Sequence, residues 1–389
     1  MNLYYLSEIS VSGQHGGGLT LQRVLQQDLD LFRRYFVISA FGNQFIPVPA
    51  VAEKTVEVCG FEDRYLNKGR IRRRLRRYLQ DRGWLAGWNA RYIARKLRKK
   101  AAIAQSYWLV VPQSKLSVRV ANLLYEKYKI RYAIWQMDDH LVRNKDGQLR
   151  YEEPIERQMA GLMRHAAFRW VISPAMQDWY HQKWGVESEV LFGPGAANSL
   201  PLHTRVEKEK PLRLVYFGAV TAWQLDALVF LAGLLKEINA ELHIYSAKDN
   251  LPDAIKKPGV YYKGSVAGNE VAALANTYDG IILPISFAPA LHHLTALNIA
   301  TKMSECLASG TVTVVVGPDY AAMVQYLQPH DCALLVTDRG RATDQLQQLR
   351  DEGKRETWLT NAAGLVSRQL TPGAMYDNWR KGYEVLTNN

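Results

Sequence analysis

Residues Asn298-Ile299-Ala300-Thr301-Lys302-Met303-Ser304-Glu305-Cys306-Leu307-Ala308-Ser309-Gly310 lie between two apolar runs, 280–284 and 311–316. The order reads strand, long loop, short helix, glycine stop, strand. Thr301 is the candidate N-cap, Lys302 and Glu305 fall in the first turns, and Gly310 supplies the stop. In an open α/β sheet, ligands bind in the crevice outside the carboxyl ends of the strands. A helix N-terminus placed there offers free N–H groups and partial positive charge to a phosphate. Lys302 would add to that attraction, and Glu305 could accept hydrogen bonds from a ribose. Taken alone, the stretch reads slightly better as a surface helix with an (i, i+3) Lys–Glu pair. The surrounding chain decides between the two.

Working outward, the same alternation of strand and helix recurs on both sides. Before the centre come the strand 3–6, a glycine-rich loop at Gly16, Gly17 and Gly18, and a helix. Strands at 36–39, 56–59, 108–112, 132–137, 170–173 and 190–192 follow, with helices between most of them. Small, polar and charged residues over 196–210 read as a linker. The alternation restarts at 212–217 and ends in three helices after strand 332–336. The expected organisation is α/β: two doubly wound, Rossmann-like domains facing a cleft, at 1–195 and 211–374, with a terminal helix at 375–389.

The chain carries 389 residues with a net charge of +12. Fourteen Lys and Arg and one acid, Asp81, fall between Lys68 and Lys100, so that segment holds the whole basic excess. It reads as two amphipathic helices. Arg72, Arg73, Arg74, Arg76 and Arg77 surround the first apolar stripe. Trp84 and Trp88 join the second, with Arg95 and Lys96 beside it. Such helices suit an anionic membrane surface, with Trp at the interface. Arginine-rich helices also bind nucleic acid, which does not require paired Trp and aliphatic stripes. Three dispersed cysteines and no Cys/His cluster argue against a disulfide scaffold or a structural zinc. No signal peptide or membrane-spanning run is present, so a cytoplasmic, soluble or membrane-peripheral protein is expected. Asp138, Asp139 and His140, at the end of strand 132–137, are the catalytic candidates: titratable groups at a strand's carboxyl end can orient a hydroxyl or act as a base.

Several stretches together resemble the GT-B glycosyltransferases of the family-4 (group 1) kind. They are the Gly16–18 loop, Val171-Ile172-Ser173-Pro174, Tyr216-Phe217-Gly218, Lys263-Gly264-Ser265, Leu283-Pro284-Ile285-Ser286 and the central 302–310 run. The resemblance covers most of the chain and implies a nucleotide-diphosphate-sugar donor in the second domain, an acceptor in the first, no metal or cofactor, and retention of configuration. It assigns Glu305 to the ribose, Gly264 and Ser265 to the base, and Ser286 to the sugar and diphosphate. Gly17 and Gly18 would approach the donor or acceptor, and His140 the donor sugar. The terminal helix with Trp379 would cross back to the first domain.

The chain departs from the family pattern in three places. The first acid of the Glu-x7-Glu pattern would fall at Leu297, or before it if the loop is longer, and neither place has one. Ala219 and Gln224 replace the usual Arg and Lys behind Gly218. Thr301, Lys302, His292 and His293 are left to neutralise the diphosphate. The expected activity is sugar transfer to a lipid-linked or polysaccharide acceptor at the cytoplasmic membrane face, in cell-surface glycan biosynthesis such as that of lipopolysaccharide, with no nucleic-acid partner. The competing expectations are a GT-B-like epimerase, a nucleic-acid-binding protein and a non-catalytic GT-B-like subunit.

Overall fold

The computed structural model describes residues 2–13, 16–39, 46–60, 83–103, 106–195, 200–207, 209–247, 251–268 and 270–388. Backbone contacts divide the chain into two units. One comprises 1–172, 176–191 and 376–389; the other comprises 173–175 and 192–375. The stretch 196–210, expected as a linker, falls with the second unit.

The first unit carries β1 (Asn2–Ser7), β2 (Phe32–Ser39), β3 (Thr55–Cys59), β4 (Ser106–Val111), β5 (Arg131–Gln136), the hairpin β6 (Arg143–Lys145) and β7 (Gln148–Arg150), β8 (Phe168–Val171) and β9 (Glu189–Val190). Seven of them form a sheet in the order β3-β2-β1-β4-β5-β8-β9. Every neighbouring pair in it is parallel. Runs such as Ser-Tyr-Trp-Leu-Val-Val in β4 suit strands covered by helices on both faces. The helix Lys115–Tyr128 begins at a capping box built by Ser114 and Ser117.

The last helix, Pro372–Thr387, packs on this unit from residue 376 onward. Trp379 is fully buried, 5.2 Å from the Trp170 ring and 6.2 Å from Phe32. Its Nε1–H donates to Asp28 Oδ2 at 2.8 Å, and Tyr376 and Arg380 donate to the same carboxylate. Asp28 is itself nearly buried, so these donors are what make its charge tolerable there. Trp379→Phe keeps a ring in the site but removes one donor to a buried charge. We expect a loss of about 2 kcal/mol, read as a lower midpoint in urea unfolding at unchanged slope.

The second unit carries β10 (Leu212–Phe217), β11 (Ala240–Tyr245), β12 (Val260–Tyr262), β13 (Gly280–Pro284), β14 (Thr313–Val316) and β15 (Leu334–Val336). Their order is β12-β11-β10-β13-β14-β15, again all parallel. Leu212, Leu214, Leu228, Leu231, Ile282, Val314 and Val316 belong to its core. Each sheet therefore runs outward in one direction from its first strand and then in the other. That reversal lies between β1 and β4 in the first unit and between β10 and β13 in the second. Among the described residues, no helix is long and apolar enough to cross a membrane, and no disulfide joins the three cysteines.

Candidate active site

The reversal of strand order in the second unit opens the sheet's carboxyl edge between β10 and β13, which is where a doubly wound sheet takes a ligand. Backbone carbonyls and a cation meet there. β10 ends at Phe217, whose ring stacks on Tyr245 at 5.2 Å. Gly218 then turns with φ +143, and its N–H donates to Tyr245 O at 2.8 Å. Lys302, from the loop after β13, reaches back to this turn and donates from Nζ to Phe217 O at 2.6 Å. A Cβ added at Gly218 would lie 2.3 Å from that Nζ. Glycine is thus required twice, for its backbone angle and for the space the ammonium occupies. Tyr216 lies beneath, with its hydroxyl donating to Ala219 O at 2.9 Å and its ring 6.0 Å from Nζ.

Burial lowers the pKa of Lys302, with Cys306 and Glu305 acting in the opposite direction. A desolvated ammonium with one backbone acceptor retains donors for an anion, and its charge is stronger in a site of low dielectric than in water. The residues that replace the family's usual cations are not cationic substitutes. Ala219 is exposed, and Gln224 folds inward, its Oε1 accepting from Thr221 Oγ1 at 2.6 Å. Lys302 therefore supplies the positive charge at this edge from a different element.

Several expectations need correction here. The helix of the central stretch is only Met303–Leu307, with Lys302 at the N-cap position and no side-chain cap. Thr301 lies in a turn and does not cap. A five-residue helix brings little macrodipole, so the attraction rests on the ammonium. Ser286 is fully buried, and its Oγ accepts from Ala288 N at 3.0 Å, which closes a turn and turns the side chain away from solvent. Phe287 N–H next to it donates to Asp226 Oδ2 at 2.8 Å. His292 lies against Tyr320 with ring centroids 4.3 Å apart, and burial lowers its pKa. Its neutral form is favoured, so it is a poor counter-ion for a diphosphate. His293 is buried. Leu297, at the place of the missing acid, is a core residue whose carbonyl accepts from Ser173 Oγ.

Glu305 is half-buried, one helical turn beyond Lys302. Gly264 has φ +79, and its carbonyl accepts from Ser246 N at 2.8 Å at the carboxyl ends of β11 and β12. No atom lies within 4 Å of where its Cβ would be, and Ser265 beside it is exposed. Lys302, Gly218 and Gly264 thus share one edge of one sheet. Sequence reasoning missed Tyr216 and the Phe217 carbonyl. A tyrosine at the end of a buried strand reads as core, and nothing local marks a carbonyl.

In the first unit, Gly16, Gly17 and Gly18 form the first turn of the helix Gly16–Leu25, not a loop before it. The two aspartates after β5 have different roles. Asp139 is fully buried, and its carboxylate accepts from the hydroxyls of Tyr151 and Tyr180 and from Leu141 N and Val142 N. Burial raises its pKa while those four donors lower it. It holds the β5–β6 connection together and is not an available base. Asp138 is only partly covered, and burial pushes its pKa up to about 6 while His140 lowers it. Asp138 and His140 lie close together at this edge.

Another buried carboxylate went unread in the sequence. Glu8, just past β1, accepts from Gln113 N at 3.2 Å, Ser117 N at 3.3 Å and the Ser114 hydroxyl. It fills the start of helix Lys115–Tyr128 at the strand-order reversal of this unit, where an anionic ligand could otherwise sit. Among the described residues there is no group of three or more His, Cys, Asp or Glu able to hold a metal.

Of the basic segment, Arg72, Arg73, Arg74, Arg76 and Arg77 lie outside the described residues, as does the side chain of Trp84. In the helix Gly83–Lys100, Ile93 and Leu97 are fully buried. The expected lipid-facing aliphatic stripe is core. Lys96 donates to Cys59 O at 3.1 Å and lies over the Tyr92 ring, whereas Trp88 and Arg95 are exposed.

No protein-family model matches the chain, and no curated protein matches it in sequence. Solved structures do match over nearly the whole length. Sucrose-phosphate synthase from Thermosynechococcus elongatus superposes with a TM-score of 0.67 at 13% identity, covering 99% of both chains. Anabaena HepE, solved with UDP and glucose, gives 0.61 at 14% over 99% of both chains. The lipopolysaccharide outer core galactosyltransferase WaaB gives 0.60 at 12%, covering 98% of this chain and 99% of that one. With its two parallel sheets of matching strand order and this end-to-end likeness, the chain has the fold of the GT-B glycosyltransferases.

Proposed function

We propose that the protein is a glycosyltransferase that binds a nucleotide-diphosphate sugar at the carboxyl edge of the second unit's sheet and transfers the sugar to an acceptor held by the first unit. The observation that carries this reading is Lys302, whose buried Nζ is held against Phe217 O beside Gly218. As the glycosidic bond to the donor breaks, negative charge grows on the leaving diphosphate. A fixed cation in a desolvated site stabilises that charge more than it stabilises the intact donor. Glu305 accepts from the ribose, the Gly264–Ser265 turn lies along the base, and Asp138 and His140 orient the reacting hydroxyl. The outcome is retention, and the acceptor is lipid-linked or a growing cell-surface glycan at the cytoplasmic face of the membrane. The fold likeness to HepE, solved with UDP-glucose, supports a uridine nucleotide first.

The test is a thermal-shift screen of the full chain against UDP, GDP, ADP and their sugar conjugates. A ligand at about one hundred times its Kd should add ~2.7 kcal/mol to stability, a rise of several degrees. A flat response to every nucleotide and nucleotide sugar would remove the donor site. Leu297 in the core, where the family carries an acid, favours a second reading: a donor-binding subunit without turnover. That reading predicts a thermal shift with no release of nucleoside diphosphate.

A further inference from the structure

We propose that the outer face of the helix Gly83–Lys100 is a docking stripe for the surface of an anionic phospholipid bilayer, held by charge and one tryptophan, with no insertion of the helix's aliphatic residues. The helix has six Lys and Arg and no acid. Its inner face, Ala86, Ala90, Ile93, Ala94 and Leu97, is buried and belongs to the fold. What remains outside is one line of side chains. Trp88, Arg91, Arg95 and Arg98 follow at i, i+3, i+7 and i+10, the spacing of a single helical face. All four are exposed, Trp88 at 62%, and Lys99 and Lys100 are exposed at the helix end. Arg34, also exposed, extends the stripe sideways from β2, donating to Lys100 O at 3.0 Å.

Charge complementarity selects an anionic partner. The helix carries six cations and no acid, and its core contacts are made on the opposite side. The helix is packed by that opposite side, so its exposed cations lie along its outward face. A line suits a plane; a helix that reads a duplex groove must protrude into it. The exposed indole at the N-terminal end matches the preference of Trp for the headgroup level of a bilayer. The surface rests on the function proposed above only through the membrane location of the acceptor. Its test uses no donor, so the two readings fail separately.

The test is co-flotation of the full chain with vesicles of phosphatidylcholine alone and with about one-third phosphatidylglycerol, at low and high salt. Surface charges are screened within ~8 Å at physiological ionic strength and within ~3 Å at 1 M. The expected result is binding to the anionic vesicles, none to the neutral ones, and release at high salt. Neutralising Arg91, Arg95 and Arg98 together to Gln should weaken binding about a hundredfold, and Trp88→Ala should weaken it severalfold. These residues are exposed, and circular dichroism and an unchanged melting temperature confirm that the variants fold. Equal binding to neutral vesicles, no binding to anionic ones, or an unaffected triple variant overturns the proposal. So does salt-sensitive binding of a fluorescent RNA or DNA duplex without any binding to vesicles.

Discussion

Replacing Lys302 with Met is expected to lower kcat/KM for a nucleotide-sugar donor by about a thousandfold, ~4 kcal/mol of transition-state stabilisation, with the fold retained. Met fills a similar volume, and among the described residues the acceptor left without its donor is Phe217 O. The lost effect is therefore electrostatic. Arg does not rescue it, because the ammonium occupies the space above Gly218 that a larger guanidinium would need. Gly218→Ala is the companion variant. It places a methyl group on the Nζ position and strains a backbone at φ +143, so it should remove most of the same activity while leaving Lys302 in the chain. The measurement is steady-state release of nucleoside diphosphate, with nucleotide affinity measured in parallel.

A pH dependence follows from the desolvation of Lys302. Burial lowers its pKa in the free protein, and a bound diphosphate favours the charged form again. Above the lowered value, binding takes up a proton, so donor affinity falls as pH rises through it. For the free fold the sign is opposite. The cost of the buried charge is present below that value and is relieved as pH rises toward the ordinary lysine value. In Lys302→Met both trends vanish.

Arg355→Ala should lower stability by about 4 kcal/mol, without touching the candidate site. Arg355 is fully buried in the second unit. Nε donates to Thr204 O at 3.1 Å, one terminal nitrogen to Asp279 O at 2.8 Å and Leu349 O at 3.2 Å, and the other to His203 O at 2.6 Å. It ties the segment 203–204 to Asp279, just before β13, and to the turn Gln348–Arg350 that precedes its own helix. Desolvation pushes its pKa down to about 10, and Asp279 and Glu352 raise it. The charge therefore persists at neutral pH. Alanine would leave four carbonyls without their donor. Arg355→Lys should recover only part of the loss, since one ammonium does not reproduce the planar fork. Gly310 shows how closely the same segment lies: a Cβ there would be 2.4 Å from Pro201 O. Urea unfolding, with the far-ultraviolet signal of the native state unchanged, tests this expectation.

Some of this was readable before any coordinates. Strand 212–217 and strand 280–284 fall where the apolar runs put them. The hairpin Arg143–Arg150 was not read, although Asp146-Gly147, both at positive φ, is a recognised two-residue turn signal. Its strands are three residues each, too short for a period to stand out. The central helix was read too long. Thr301 lies in a turn before the helix, and 308–310 form a turn after it.

The sequence by itself determined two doubly wound units, because alternating buried strands and amphipathic helices leave their period in the order of residues. It also located the basic segment and named Lys302. Only the tertiary structure decided what those residues do. Lys302 meets Phe217 across 85 positions of chain. Tyr151 and Tyr180 reach Asp139 from 12 and 41 positions away and make it a buried structural group. Burial and distant partners set the charge state and availability of a side chain, and neither is written in its immediate neighbours. The central stretch 298–310 therefore keeps its place at the edge of the sheet, but what it presents there is one desolvated ammonium and not a helix end.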